Sequence, residues 1–301
     1  LNGRKNVTLI LGNSQTHSIN QMQLGEFNYL EIMDKNITNT QIIGNTFPNA
    51  SLQDFLISYS YWKEILPIKN VFIPLFFDDT REINGIKFDF YPQLIDENFS
   101  FPAEINLLKS LNSSLRLMQE DSEDIINIEL STQDKSELFI NNFLDEKWSS
   151  VWPKRKDAQG FIFSRLYLLR NLLFNITPSS IRRKIPERYY NNMNALDLII
   201  NDAVSNNINT FLYIPPIRDD SEIPYDINDY NFFINEVKVK AEVNSIIHFK
   251  DFSNIVPSTF FGTKESTTLS KNNELDFMHF QFEGHAILGD SLVNYFLNST
   301  K

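Results

Sequence analysis

The chain contains no cysteine. Disulfides, thiolate metal centres and cysteine nucleophiles are therefore excluded, and any covalent mechanism falls naturally to serine. Histidine is scarce, with only His17, His248, His279 and His285. That supply is poor for a multi-histidine metal site but sufficient for a reaction that needs one imidazole. Basic residues are outnumbered, 27 Lys+Arg against 38 Asp+Glu, giving a net charge of −11 over 301 residues. A nucleic-acid or anionic-membrane binder needs a basic face, so neither class is expected. No run of about 18 apolar residues is present, so no membrane span is expected in this chain. No charged-then-apolar leader opens the sequence. The chain starts at Leu1 instead of Met, which is compatible with a leader or anchor upstream of Leu1. An extracytoplasmic location, free or membrane-anchored, is the expectation over a cytoplasmic one.

The apolar content is ample. A hydrophobic fraction of 42% with 26 Phe supports a sizeable core and rules out a disordered acidic protein. Short β-branched runs at Asn6–Leu11, Thr40–Asn45, Asn70–Phe76, Thr210–Ile214 and Ser245–Phe249 predict buried strands. Between them lie helical spacings. Ser51 caps a helix carrying Leu52, Phe55, Leu56, Tyr59 and Trp62, and further helices are expected at Tyr189–Val204, Asp229–Val243 and from Gly284 onward. Alternating strands and helices with continuously apolar strands imply a parallel sheet covered on both faces. Residues 79–188 break the pattern. They mix charged and amide residues with helical stretches around Ala103–Leu117 and Gly160–Phe174. The expected fold is one α/β domain over 1–301, with 79–188 as a largely helical insertion or lid.

Two local patterns carry chemistry. Gly12-Asn13-Ser14 follows the first strand directly. A serine at a strand-to-helix turn projects its hydroxyl at the strand's carboxyl end, with backbone N–H groups available for an oxyanion. Ser14 acting simply as a helix cap is the plainer alternative. Near the other end stands Asp276-Phe277-Met278-His279. If these residues lie in a loop, the carboxylate can orient the imidazole and stabilise its protonated form. The alternative is an unrelated acid and histidine on a surface loop.

The combination of Gly-Asn-Ser early and Asp-x-x-His before a Gly-initiated helix resembles the SGNH/GDSL hydrolase superfamily. The resemblance implies a three-layer α/β/α sandwich around a central parallel sheet. Ser14 matches its nucleophile, His279 its general base and Asp276 the orienting acid. No cofactor or metal is implied. The resemblance also implies oxyanion donors after the second and third strands. Asn49 stands where a glycine N–H is expected, with Gly44 as the alternative. Asn tolerates the left-handed backbone such a turn needs. Asp78 stands where an Asn side chain is expected, and an ionised carboxylate repels an oxyanion. The implied activity is serine-dependent hydrolysis or transfer of an acyl ester, on a carbohydrate or cell-envelope substrate. The insertion is similar to that of branches such as the alginate O-acetyltransferases and D-alanyl lipoteichoic acid transfer proteins. A catalytically silent domain of this fold that binds a glycan or protein is the alternative.

The remaining candidates have plainer readings. His17 is expected on a solvated helix face, and His248 in the core or at a sheet edge. His285 lacks the Asp-x-x-His spacing of His279. Asp78-Asp79 and Asp219-Asp220 are paired acids that would suit a glycosidase or a metal, but without an accompanying ligand motif. Lys154-Arg155-Lys156 and Arg182-Arg183-Lys184 are the basic clusters. A solvated face is their default, and contact with an anionic glycan or membrane the sharper reading.

Overall fold

The computed structural model describes residues 6–82, 99–102, 105–119, 180–264 and 273–299. The chain begins with β1 (Val7–Gly12), a one-turn helix α1 (Ser14–His17), α2 (Tyr29–Asn36), β2 (Gln41–Thr46), α3 (Leu52–Ile65) and β3 (Ile68–Pro74). A 3-10 turn follows at Asp78–Thr80, then α4 (Asn106–Gln119). The second half supplies α5 (Pro186–Ser205), β4 (Asn209–Ile214), α6 (Ile227–Ala241) and β5 (Ile247–Asp251). It ends with β6 (Phe261–Lys264), β7 (Glu274–Phe280) and α7 (Phe282–Ser299).

Strands β1 to β5 form one parallel sheet in the order β2-β1-β3-β4-β5. All six residues of β1 are buried, as a strand covered on both faces requires. Side chains divide by the two-residue period of a strand. Leu9, Leu11, Val71, Ile73, Leu212 and Ile214 enter one core with residues of α3, α5 and α6, whereas Ile10, Phe72, Phe211 and Tyr213 enter the other with residues of α2 and α7. This is the expected three-layer α/β/α sandwich. A buried polar chain crosses the middle strands. Asn209 Nδ2 donates to Asn70 Oδ1 (3.1 Å), Asn70 Nδ2 donates to Thr8 Oγ1 (2.9 Å), and Thr8 and Thr40 hydroxyls meet at 3.0 Å. A slip of one residue in any of these strands would bury unpaired amides, so the chain fixes the register.

From β1 the chain goes to β2 on one side and then returns to β3 on the other. Connections diverge at this point, and in such sheets a crevice at the carboxyl ends of the two strands is where ligands bind. Ser14 follows β1 and the Asp78 turn follows β3, so both lie at those ends.

Two features depart from the expectations. The polar stretch after Ser14 contains α2, capped by Asn28, whose side chain accepts from the Leu30 N–H. Its apolar stripe of Tyr29, Ile32 and Met33 is short and set among Glu31, Asp34, Lys35 and Asn36. The Asp276–His279 segment lies in β7, paired antiparallel with β6 outside the main sheet. Within the insertion, the helix expected at Ala103–Leu117 runs Asn106–Gln119. Leu111 and Leu115 of that helix join Phe99 and Phe101 in the α3-side core. The Gly160–Phe174 stretch and Lys154-Arg155-Lys156 lie outside the described residues. Among the described residues no helix is long and apolar enough to cross a membrane.

Candidate active site

Asn13 caps α1. Its Oδ1 accepts from the Gln15 N–H at 3.1 Å, so the capping role belongs to Asn13 and leaves Ser14 Oγ free for other contacts. The turn is tight. A Cβ on Gly12 would lie 2.1 Å from Thr16 Oγ1, so only glycine fits below the buried Thr16. Ser14 Oγ lies 2.9 Å from His279 Nε2, and His279 Nδ1 lies 2.9 Å from Asp276 Oδ2.

The strand setting of Asp276 and His279 needs an explanation, because residues three apart on a regular strand face opposite ways. Asp276 Oδ1 accepts from the N–H groups of Met278 (3.0 Å) and His279 (3.1 Å). This side-chain turn bends the chain locally and brings the carboxylate and imidazole to the same side. Burial alone would push the Asp276 carboxyl up. Hydrogen bonds from the His279 ring, the charge of that ring and the two N–H groups outweigh it, and the carboxyl titrates below its ordinary range. An ionised carboxylate only accepts, so Nδ1 donates to it, and in the neutral form of the ring this tautomer leaves the Nε2 lone pair facing the Ser14 hydroxyl.

Other residues brace this line. Gln15 Nε2 donates to the carbonyls of Pro216 (2.8 Å) and Met278 (2.6 Å). Asn20 Nδ2 approaches Asp276 Oδ2 at 3.4 Å, and the Asn20 N–H donates to the Phe280 carbonyl at 3.0 Å. The Arg218 N–H donates to the Phe277 carbonyl at 2.9 Å, and its guanidinium is salt-bridged to Asp220. None of these three was marked by the sequence. Gln15 and Asn20 sit close after Ser14, and that proximity was the available signal.

The oxyanion candidates fare differently. Asn49 takes the left-handed conformation, φ +53°, on the exposed turn after β2, as its tolerance of that region allows. Gly44 lies inside β2 opposite Ile10, and a side chain there would meet Leu30 at 2.7 Å. The strand continues past it to Thr46, so Gly44 is withdrawn as the residue following the strand. Asp78 is held by salt bridges to Arg182 and Arg81, and Tyr225 Oη donates to it at 3.1 Å. It offers no donor. Asp79 diverges from Asp78. It is buried and accepts from Asn13 Nδ2 (3.1 Å) and the Phe76 N–H (3.3 Å). Burial pushes its carboxyl well above the usual range, repulsion from Asp78 and Glu82 adds to this, and the two hydrogen bonds oppose it.

The other histidines separate clearly. His17 is half-buried, not simply solvated: its Nδ1 lies 3.1 Å from Thr46 Oγ1. Burial, then the nearby His279 charge, lowers its pKa against the opposing Asn13 carbonyl. His285 is fully buried between Tyr29 and Phe280, with Nε2 3.2 Å from the Ser18 carbonyl. His248 lies on the edge strand β5, stacked on Phe211. In the second acid pair, Asp219 bonds to Ser258 Oγ while Asp220 pairs with Arg218. Neither acid pair forms two carboxylates facing one substrate position.

A scan against protein families matches none, and no curated protein matches the sequence. Among solved structures the chain is similar to one from Bacteroides fragilis NCTC 9343, assigned provisionally as an acylhydrolase. The identity is 11%, over 99% of this chain and 90% of that chain, with a TM-score of 0.40. The α/β sandwich assignment rests on the sheet order and layers described above.

Proposed function

We propose that this chain is a serine-dependent ester hydrolase or acyltransferase of SGNH/GDSL type. The observation that carries the reading is one line of contacts, Asp276 Oδ2 to His279 Nδ1 and His279 Nε2 to Ser14 Oγ, each at 2.9 Å. Ser14 Oγ attacks the acyl carbonyl carbon while His279 Nε2 takes its proton, and Asp276 stabilises the imidazolium that results. The backbone N–H of Ser14 and a group on the Asn49 turn are the proposed oxyanion donors. The tetrahedral intermediate collapses when the alcohol leaves with the proton from His279. Water or a sugar hydroxyl then loses a proton to His279 and attacks the acyl-enzyme, restoring Ser14. The resemblance points to O-acyl esters of carbohydrate or the cell envelope as substrates. Because Asp78 contributes no donor, turnover is expected to be slower than with a full oxyanion set, by on the order of 10²–10³.

The experiment is turnover of short-chain 4-nitrophenyl esters by the parent chain and by Ser14→Ala. The expected result is loss of nearly all activity. Activity retained in Ser14→Ala would overturn the serine mechanism and return attention to the acid pairs. Glycan binding with no Ser14-dependent turnover would instead favour the silent domain, for which the missing Asp78 donor is the supporting observation.

A further inference from the structure

A closed ring of contacts leads from Ser14 through Arg182 and back. Asn13, beside Ser14, donates to Asp79. Asp78, beside Asp79, is salt-bridged to Arg182. The Arg182 guanidinium carbon lies 5.1 Å from the centroid of the Phe277 ring. Phe277 is two residues before His279, whose Nε2 returns to Ser14 Oγ. Arg182 is thus tied to the nucleophile turn by one arm and to the base-bearing strand by the other.

Its guanidinium is preorganised. The Arg182 main chain is pinned by its N–H to the Pro224 carbonyl and by the Asp226 N–H to its own carbonyl, both at 2.9 Å. The ring face and Asp78 fix the side chain, so little freedom remains to be lost on binding. A third of the side chain is nevertheless open, at 33% exposure. The surroundings are cationic. Arg81 shares Asp78, and Arg188 Nη1 donates to the Arg81 carbonyl. Two guanidinium groups, those of Arg182 and Arg81, therefore share the single Asp78 carboxylate. One positive charge of this trio is left over at a place where a chain of net charge −11 would otherwise repel an anion.

We propose that Arg182, supported by Arg81, binds an anionic group of the ester substrate, a carboxylate or a phosphate, and makes the enzyme select anionic over neutral esters. This rests on the serine-ester reading above. A charge-assisted, forked contact of this kind corresponds to roughly tenfold or more in KM.

The test compares neutral and anionic esters of matched size with the full chain. One pair is 4-nitrophenyl hexanoate and 4-nitrophenyl hydrogen adipate. The other is glyceryl acetate and its 3-phosphate. Expected is a KM at least about tenfold lower for one or both anionic members, and the pair that shows it identifies the anion. The preference should shrink as salt is raised. Arg182→Gln should abolish it, and Arg182→Lys should restore part of it, because Lys keeps the charge but loses the fork. Equal kcat/KM for neutral and anionic esters, with turnover still dependent on Ser14, would overturn the anion subsite and leave the serine reading standing. Absence of Ser14-dependent turnover of all four esters would overturn both. A preference unaffected by salt and by Arg182→Gln would place the selectivity elsewhere and overturn the proposal.

Discussion

The Gln15 side-chain amide donates to the Met278 carbonyl at 2.6 Å. Gln15 directly follows Ser14 and Met278 directly precedes His279, so one buried amide bridges the Ser14 turn and the strand that carries His279. The same amide reaches the Pro216 carbonyl after β4. Replacing it with Leu leaves two carbonyls without their donor and lets the two segments drift. A misplacement of about 1 Å can cost on the order of 10² in rate. Gln15→Leu is therefore expected to lower kcat by about 10- to 100-fold with a smaller change in KM, as steady-state ester kinetics would show.

Asp276→Asn separates charge from shape. The variant keeps the size of the side chain but presents an amide to the imidazole, favouring the wrong tautomer. A fall in kcat on the order of 10⁴ is expected. Titration of the parent by ¹³C NMR supplies the pH side. Because the folded pKa of Asp276 is lowered, its stabilising contribution is present above the unfolded carboxylate value and is lost only as pH falls through the lowered folded value. The Asp276 carboxylate should therefore remain ionised below the range in which exposed carboxylates protonate.

Gly12→Ala tests the turn itself. The added Cβ would overlap Thr16 Oγ1, Cβ and Cγ2, all within 2.8 Å, and Thr16 is buried with no room to rotate freely. Overpacking of this kind costs about 1–3 kcal/mol. Urea denaturation should show that loss, and kcat should drop with it because Ser14 sits on the displaced turn.

His285 gives a pH dependence of stability. Burial lowers its pKa to about 4, with the His279 charge adding and the Ser18 carbonyl opposing. Between that value and the unfolded histidine value, the unfolded chain binds a proton that the folded chain does not. Stability therefore falls as pH drops through this window. The contribution is on the order of 3 kcal/mol from pH 7 to pH 4. His17 and His248, both lowered, act in the same direction. Denaturation midpoints measured across the window should shift less in His285→Gln than in the parent.

The sandwich was legible because the buried strands are short β-branched runs and α3, α5, α6 and α7 show clear spacings, as at Leu52–Trp62, whereas α2 does not. Ser14, Asp276 and His279 could be singled out because the Gly-Asn-Ser and Asp-x-x-His runs together resemble a known pair of blocks, and the structure brings the three side chains into one hydrogen-bonded line. The β6–β7 pairing could not be read: its four- and seven-residue strands carry Gly262, His279 and charged residues in place of an alternating pattern. Gln15, Asn20 and Arg218 were hidden for another reason. Their roles depend on partners up to 263 positions away, and local spacing carries no record of such contacts. Asp78 was visible as a departure from a pattern and Arg182 as part of a basic cluster, but not their pairing across 104 positions.

The central claim is that Ser14 is the nucleophile activated by His279. Its most direct test is labelling with a serine-directed fluorophosphonate, followed by intact-mass and peptide-mapping mass spectrometry. One adduct per chain, mapped to Ser14, absent in Ser14→Ala and much slowed in His279→Ala, is the result the account predicts. An unlabelled parent chain, or an adduct that persists in Ser14→Ala, would contradict it.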